Sequence, residues 1–397
     1  MGSRQAGPLS ASPPMPERTL PPALRTAPFA LAILTAVGLV LSAPYIGQIR
    51  SVVRSAFPAQ YLLILAVVAA LGFTTALVLA ALRIRDRRRA RYGSIALAII
   101  IAVNYSVGTA SEFPERNAVE RFHFLQYGLV TFLFYRAWRP LQDGGVLILP
   151  VLAGLIVSAA EEWLQWFIPN RVGEINDVLL NLVAIVCGLL FSLGVDPPPR
   201  LRLSLEPGTR GRVSRLAIVA LAAVAVFFHV VHLGHTIEDP EIGTFTTRYS
   251  PDRLAALQRE RTTKWSTSPP STSLVRLSRE DQYLSEGMEH IRERNELWEA
   301  GDVRGSWLEN RILEKYYAPV LDTPTHEGSG HRWPTAQRQD ASERASTAGA
   351  ERHFASTAYP YRLYSWSKAA FWAGVVLFGL FLAWSGRATG APSIHHS

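Results

Sequence analysis

Apolar residues in this 397-residue chain are concentrated in long blocks that alternate with charged segments. A helix of roughly 20 residues, rising about 1.5 Å per residue, crosses the hydrocarbon core of a bilayer. Eight blocks approach or reach that length, at 28–47, 61–82, 94–110, 118–135, 146–165, 175–193, 215–233 and 366–384. The pattern therefore predicts an all-α, polytopic bundle of about eight membrane-spanning helices.

The block at 118–135 is the weakest of the eight. Glu120 and Arg121 lie at its start, so its continuous apolar stretch begins only at Phe122. A short apolar run behind charged residues is also typical of a re-entrant or interfacial segment. The count of eight spans depends on this helix, and so does the assignment of each connecting loop to one side of the membrane.

Polar segments divide the chain around these blocks. The Pro- and Ser-rich head predicts a disordered N-terminus, and the full-length apolar block behind it indicates a retained span rather than a cleaved signal peptide. Only one hydrophilic segment is large enough to form a domain. The predicted units are a head at 1–27, the main bundle at 28–193, a loop at 194–214, a seventh span at 215–234, a hydrophilic domain at 235–365, a last span at 366–386 and a tail at 387–397.

The basic character of the chain follows the predicted membrane topology. A net charge of +8 is compatible with nucleic-acid binding, but the arginines cluster in the loops after the second, fourth and sixth blocks. They are Arg83, Arg85, Arg87, Arg88, Arg89 and Arg91, then Arg136 and Arg139, then Arg200, Arg202, Arg210, Arg212 and Arg215. The positive-inside rule makes these loops cytoplasmic. Both termini are then cytoplasmic, 235–365 is extracytoplasmic, and nucleic acid is not an expected partner. Arg50 and Arg54 are exceptions on the opposite side.

The hydrophilic segment shows the start and stop signals of helices. Ser250 before Pro251 predicts a helix start, and Ser278 with Asp281 resembles a capping box. Gly301 can end that second helix and Asp302 can begin a third, which predicts an αα-hairpin. Residues 323–358 are rich in small and polar residues and predict a flexible tether. We expect a small, mostly helical domain, with a surface for a protein partner as the competing interpretation.

Three histidines, His229, His232 and His235, are spaced three apart where the seventh block ends. This spacing keeps neighbours on one side of a helix, and imidazole is a common ligand of divalent metals. The competing interpretation is a set of interfacial histidines beside a solvated acidic turn. We treat the three as weak metal candidates, and no cofactor is predicted. The only cysteine, Cys187, lies within an apolar block, so the chain cannot form an internal disulfide.

Ionisable residues gather at one end of the fourth, fifth and sixth blocks. Glu120, His123 and Tyr127 share one helix face, while Arg121 points away from it. Because charges are costly in a bilayer, such residues face the bundle interior, pair with one another or serve a function. We expect Asn104 and Tyr105 of the third block to extend this group.

The fifth and sixth blocks complete the polar group. Glu162 and Gln165 are three apart and can meet on one side of a helix, with Ser158 one turn below Glu162. Arg171 follows in a turn. The sixth block then presents a stripe that is polar at its first end and small at its second, formed by Asp177, Asn181, Ala184 and Gly188. Small residues allow neighbouring helices to approach closely.

Together these segments resemble the VanZ-like family of membrane proteins, whose name-giving member is linked to resistance to glycopeptide antibiotics such as teicoplanin. The residues that carry the resemblance are Glu120, Arg121, His123, Phe124 and Tyr127, then Glu162, Gln165, Phe167, Pro169 and Arg171, then Asp177 and Asn181. They lie within 104–193. Asn170 and Ala184 depart from the family pattern, which favours glycine at both positions. The resemblance implies an envelope protein of the bacterial inner membrane.

Three hypotheses follow for function. In the first, the group binds or modifies an anionic lipid-linked envelope precursor: Arg121 and Arg171 can hold phosphate, and His123 with Glu162 or Asp177 can move protons. The other candidate binding residues are Glu120, Tyr127, Gln165 and Asn181. In the second, the same residues only fix helix packing. The third, a proton-coupled transporter, lacks the inverted repeats and broken helices of that class. Whether any reaction is catalysed stays open.

Overall fold

The computed structural model describes residues 22–112, 114–168, 173–270, 279–325, 329–347, 353–359 and 361–387. In chain order its elements are α1 (Pro22–Ala56), α2 (Tyr61–Arg83), α3 (Arg88–Gly108), α4 (Pro114–Trp138), α5 (Gly145–Phe167), α6 (Ile175–Val195), α7 (Pro207–His232), β1 (His235–Asp239), β2 (Gly243–Thr247), α8 (Pro251–Trp265), α9 (Arg279–Glu299), α10 (Val303–Tyr316), α11 (Ala318–Leu321), α12 (Thr335–Thr347) and α13 (Lys368–Arg387).

Seven of the described helices are long and apolar enough to cross a membrane: α1, α2, α3, α5, α6, α7 and α13. The prediction of an all-α polytopic bundle is confirmed. The expected eighth span, α4, is not among the seven. Its first half carries charged residues that keep its mean hydropathy low, as expected from Glu120 and Arg121.

Helix α4 nevertheless runs beside the whole of α6. The side chains of His123 and Asn181 meet at one end of this pair, and the Tyr135 hydroxyl donates to the Asp196 carbonyl, 2.7 Å away, at the other. Because α6 is one of the seven apolar spans, α4 covers the same thickness in the same direction. Its polar first half faces neighbouring helices, which is why low hydropathy is tolerated there.

The eight long helices alternate in direction. Contacts between helix termini support this: Phe29 with Trp138, Arg91 with Gly194 and Ser214 with Leu382 join the start of one helix to the end of another. Asp143 with Glu206 joins two starts, and Ile84 with Val195 joins two ends. All of them lie at one face of the bundle, which we call the basic end because the arginine-rich loops join helices there. The opposite face, with His123 and Asn181, is called the cluster end.

Helices α4, α5 and α6 form the centre of the bundle. Their facing side chains include the buried Tyr127, Ala153, Ala184 and Ile185. At the crossing of α4 and α6, a Cβ placed on Gly188 would lie 2.8 Å from the Gly128 Cα. The predicted small stripe of α6 therefore sits at a close helix contact. In contrast, α2 and α13 expose rows of large apolar side chains.

The hydrophilic domain, 235–365, packs around its own core. Strands β1 and β2 form an antiparallel hairpin in which His235 pairs with Thr247 and Asp239 with Gly243. Helices α8 to α11 bury Leu254, Tyr283 and Ile312 against this hairpin.

The structure tests several of the helix starts and ends that were predicted for this domain. The Asp302 carboxylate accepts a hydrogen bond from the Gly305 N–H at 2.8 Å, so the predicted helix start is confirmed. Gly301, with φ of +83°, ends the preceding helix. The hairpin was not predicted, and α12 forms inside the stretch expected to be a flexible tether, so that expectation is wrong for Thr335–Thr347. Ser278 of the expected capping box lies outside the described residues.

The hydrophilic domain rests on the cluster end of the bundle. The Arg248 guanidinium lies over the Trp166 ring, 5.2 Å from its centre, which joins the domain to α5. The His232 side chain accepts a hydrogen bond from the Ile175 N–H at Nε2, over 2.9 Å, and donates from Nδ1 to the Arg362 carbonyl, also at 2.9 Å. The first turn of α6 is thereby tied to the end of α7 and to the segment that leads into α13.

Candidate functional site

The candidate site lies at the cluster end, where α4, α5 and α6 meet. Positions 158, 161, 162 and 165 of α5 recur at spacings of three and four, so this helix presents a polar stripe. The stripe faces Tyr127 of α4 and Asn181 of α6. Its members Ser158, Glu161, Glu162 and Gln165 are all buried, and so are Tyr127 and Asn181.

Two adjacent carboxylates form the inner part of the site. The Tyr127 hydroxyl donates to Glu161 Oε2 at 2.5 Å. The Gln165 amide donates to Glu161 Oε1 at 3.3 Å and to Glu162 Oε1 at 3.2 Å. The Glu174 N–H donates to the second oxygen of Glu162 at 3.3 Å. Every carboxylate oxygen of the pair thus accepts a hydrogen bond, as buried polar groups require. This inner part joins α4 to α5 and α5 to the start of α6.

A second chain of hydrogen bonds orients His123. The Asn181 amide donates to the Ser158 hydroxyl at 3.0 Å, so its carbonyl oxygen is left to accept from His123 Nδ1–H at 2.7 Å. The imidazole lies parallel to the Tyr127 ring, with 6.2 Å between centres. His123 is half-buried, and its Nε2 has no hydrogen-bond partner among the residues that the structure describes. One ring nitrogen is therefore anchored and the other is available to a ligand or a proton.

The rim of the site carries two further carboxylates, Glu120 and Asp177. Glu120 and Asp177 are half-buried, and the charges of both act on the Tyr105 hydroxyl, so the three groups lie near one another. Arg121 is exposed and forms no hydrogen bond or ion pair with any described residue. Arg171 lies outside the described residues. The rim thus carries carboxylates, and the exposed guanidinium of Arg121 lies on the same turn of α4 as Glu120.

The structure brings together most of the site residues that were predicted from the sequence. His123 and Asn181 lie in one hydrogen-bonded chain, and Tyr127, Glu162 and Gln165 lie in the other. The His123 and Tyr127 rings stack where the two chains meet, and Tyr105 lies at the rim. Asn104 does not join, because it is exposed and its amide donates to the Ile100 carbonyl of its own helix.

Glu161 was missed. Its signal was available in the sequence, since Ser158, Glu161 and Gln165 fall at i, i+3 and i+7 on one helix face.

The three histidines at the end of α7 do not form a metal site. Both nitrogens of His232 are used by backbone groups, and the Trp372 N–H donates to His229 Nδ1 at 3.2 Å. His235 lies on β1, where burial and the charge of Lys368 lower the pKa of its imidazole. In the described parts of the chain, no three His, Cys, Asp or Glu side chains lie close enough to hold a metal ion.

Comparison with known proteins identifies one related family. Residues 59–195 match the model of the VanZ/LLP1 family, which confirms the resemblance expected from 104–193. No curated protein and no solved structure matches the chain. The matched region begins just before α2 and ends with α6, so it contains all three helices of the site. The chain thus contains a region similar to the VanZ/LLP1 family, and helices α1, α7 and α13 and the hydrophilic domain lie outside that region.

Proposed function

We propose that the cluster end binds the anionic head group of a lipid or lipid-linked envelope precursor. Arg121 and Arg171 would hold the phosphate, for which a guanidinium is well suited, and His123 Nε2 would contact the bound head group. Glu120 and Asp177 line the same rim and would bind its hydroxyl or amine groups. The apolar faces of the bundle would accommodate the lipid chain.

The observation that carries this proposal is the difference between two histidines. His232 donates from one nitrogen and accepts at the other, as a histidine with a packing role does. His123 is held through Asn181 at one nitrogen, and its second nitrogen stays available at a half-buried position. A side chain that is oriented by a buried network and left with one unused polar atom is typical of a binding group.

The accessibility of these side chains indicates which of them would act in proton transfer. His123 Nε2 and Asp177 are accessible from the rim, whereas Glu162 is fully buried and both of its oxygens already accept hydrogen bonds. Glu162 is therefore a positioning residue in this proposal. If the protein catalyses a reaction, His123 would accept the proton, with Asp177 as the second candidate.

The proposed site faces the outside of a bacterial inner membrane. Support comes from the short segments that join the membrane helices at the basic end, which carry thirteen arginines and which the positive-inside rule makes cytoplasmic. The cluster end and the hydrophilic domain are then extracytoplasmic, and both termini are cytoplasmic. A site on this side is accessible to envelope precursors, and a link to glycopeptide resistance is part of the proposal.

The test is binding of a polyprenyl phosphate to the full chain in lipid nanodiscs, with the uncharged polyprenol as the matched probe. Wild type should prefer the phosphate, and Arg121→Gln and Arg171→Ala should each lose most of that preference. Arg136→Gln, an exposed arginine at the basic end, is the control and should bind like wild type. Equal binding by wild type and Arg171→Ala would contradict the proposal.

A resistance assay tests the envelope role. Expression of the chain in a teicoplanin-susceptible bacterium should raise the inhibitory concentration of teicoplanin, and His123→Asn should abolish the increase at equal protein abundance.

The inner carboxylate pair favours a second role, the fixing of helix packing. Every oxygen of Glu161 and Glu162 is hydrogen-bonded and neither residue is exposed. If the whole group has only this role, Asp177→Asn should lower protein abundance together with any phenotype. A functional rim predicts normal abundance with lost binding.

A further inference from the structure

Two arginines lie on the side of the bundle where the positive-inside rule disfavours them. Arg50 and Arg54 belong to the last turns of α1, at the cluster end, away from the arginine-rich loops of the basic end. Neither belongs to the group around His123. The positive-inside rule does not explain why these two arginines lie at the cluster end, so another physical explanation is needed.

The structure places Arg54 in a cavity of about 450 Å³ between the α1–α2 turn and the start of α4. Its walls include Pro58, Tyr61, Leu62 and Pro114, with Glu115 beside the arginine. Ligand pockets commonly have volumes of roughly 300–1,000 Å³ and mostly apolar walls with a few polar groups. The cavity matches this description.

The two charged groups of the cavity pair with each other but leave much of the arginine side chain exposed. Arg54 and Glu115 form an ion pair at 3.3 Å, but the arginine side chain is still 66% exposed. An ion pair this exposed contributes little to stability, so an anion can compete with Glu115 for the guanidinium. The neighbouring Arg50 donates from Nε to the Tyr61 hydroxyl at 3.1 Å, which fixes the opposite wall.

The surroundings of the cavity indicate what fills it. Ile49, Val52, Phe57 and Leu62 are large, apolar and exposed around it, which is typical of a surface that contacts lipid. The cavity lies at the end of two helices that are apolar enough to span the membrane, so it sits at the level of the lipid head groups. A guanidinium at that level attracts a negatively charged head group.

We propose that this cavity binds the phosphate of an anionic phospholipid, with Arg54 as the phosphate ligand and the apolar walls against the glycerol and upper acyl chains. The site is separate from the one around His123, which lies about 12 Å further along α4 at 1.5 Å per residue. It does not rest on the function proposed for that group. Glu115 acts as an internal competitor that occupies Arg54 when no lipid is bound.

The experiment uses local quenching of a fluorophore by brominated lipid. Ser51→Cys places a label one turn before Arg54, and the native Cys187 is buried, which restricts labelling to the new position. The full chain is reconstituted with brominated phosphatidylglycerol or brominated phosphatidylcholine, and the relative association constant is measured from the quenching. We expect a preference of about fivefold for phosphatidylglycerol, the effect of one arginine near the membrane surface.

Three variants in the labelled background decide the outcome. Arg54→Gln should reduce the preference to nearly one, and Glu115→Gln should increase it, because the guanidinium is released. Arg88→Gln at the basic end should leave it unchanged. An unchanged preference in Arg54→Gln, or a reduced one in Glu115→Gln, would overturn the proposal. So would displacement of the lipid by soluble glycerol phosphate, since the cavity would then bind free phosphate esters.

Discussion

Replacing Tyr127 with phenylalanine removes one hydroxyl group from the centre of the bundle and keeps the shape of the side chain. That hydroxyl donates to Glu161 Oε2 at 2.5 Å, and both residues are buried. Loss of a buried partner costs about 1–3 kcal/mol in soluble proteins, while side-chain hydrogen bonds inside bilayers average about 0.6 and reach about 1.7 kcal/mol. Because the acceptor is a buried carboxyl group, we expect about 1.5 kcal/mol.

Tyr135→Phe is the matched control at the basic end. Tyr135 is also fully buried, but its hydroxyl donates to the neutral backbone carbonyl of Asp196, which accepts from the Arg139 guanidinium as well. The acceptor keeps a partner in this variant, so the expected cost is about 0.5 kcal/mol. Reversible unfolding in mixed detergent micelles, followed by tryptophan fluorescence, measures both. A cost for Tyr135→Phe equal to or above that of Tyr127→Phe would refute the importance of the carboxylate acceptor.

Two further predictions concern packing and pH. Gly188→Ala should destabilise the bundle by about 1–3 kcal/mol, because the new methyl group would meet the Gly128 backbone, whereas Gly128→Ala points into open space and should be nearly neutral in the same unfolding assay. In the hydrophilic domain, burial alone would raise the pKa of Asp239, but hydrogen bonds from Lys315 and Tyr316 outweigh it and lower the pKa to about 2. Since the pKa is lowered on folding, this stabilisation is present above the ordinary value of 3.8 and is lost as the pH falls towards about 2. Asp239→Asn should therefore lower the thermal midpoint at neutral pH and have little effect near pH 2.

The membrane bundle was predictable because a bilayer imposes simple rules on sequence. Backbone groups in hydrocarbon must be satisfied within a helix, so long apolar blocks identify spans directly. The spacing of His123 and Tyr127 along the sequence was enough to predict that both lie on one helix face. Glu161 was not predicted as a site residue because α5 is enclosed by α4, α6 and α7, so more than one face of this helix is buried. A rule that assigns one buried face to each helix cannot identify both of two adjacent glutamates as buried.

The hydrophilic domain was less predictable because its shorter elements depend on distant partners. The hairpin of β1 and β2 is held by the Thr244 N–H, which donates to the Phe354 carbonyl at 2.9 Å, more than a hundred residues away. Helix α12 is polar and shows no apolar stripe, yet Arg338 forms a two-point ion pair with Glu314 of α10, at 2.5 and 2.9 Å. Such long-range contacts cannot be predicted from the local sequence, and residues 323–358 were therefore expected to form a flexible tether.

The central claim is that His123 presents a nitrogen for a ligand and is not only a packing residue. The most direct test measures polyprenyl phosphate affinity and unfolding free energy together for two variants. His123→Asn can keep the donor to Asn181 while removing Nε2, and His123→Gln can place an amide near the Nε2 position. We predict that His123→Asn loses roughly tenfold or more in affinity at nearly wild-type stability, and that His123→Gln recovers part of it. Wild-type affinity in His123→Asn, or an affinity loss that only parallels lost stability in both variants, would contradict the account.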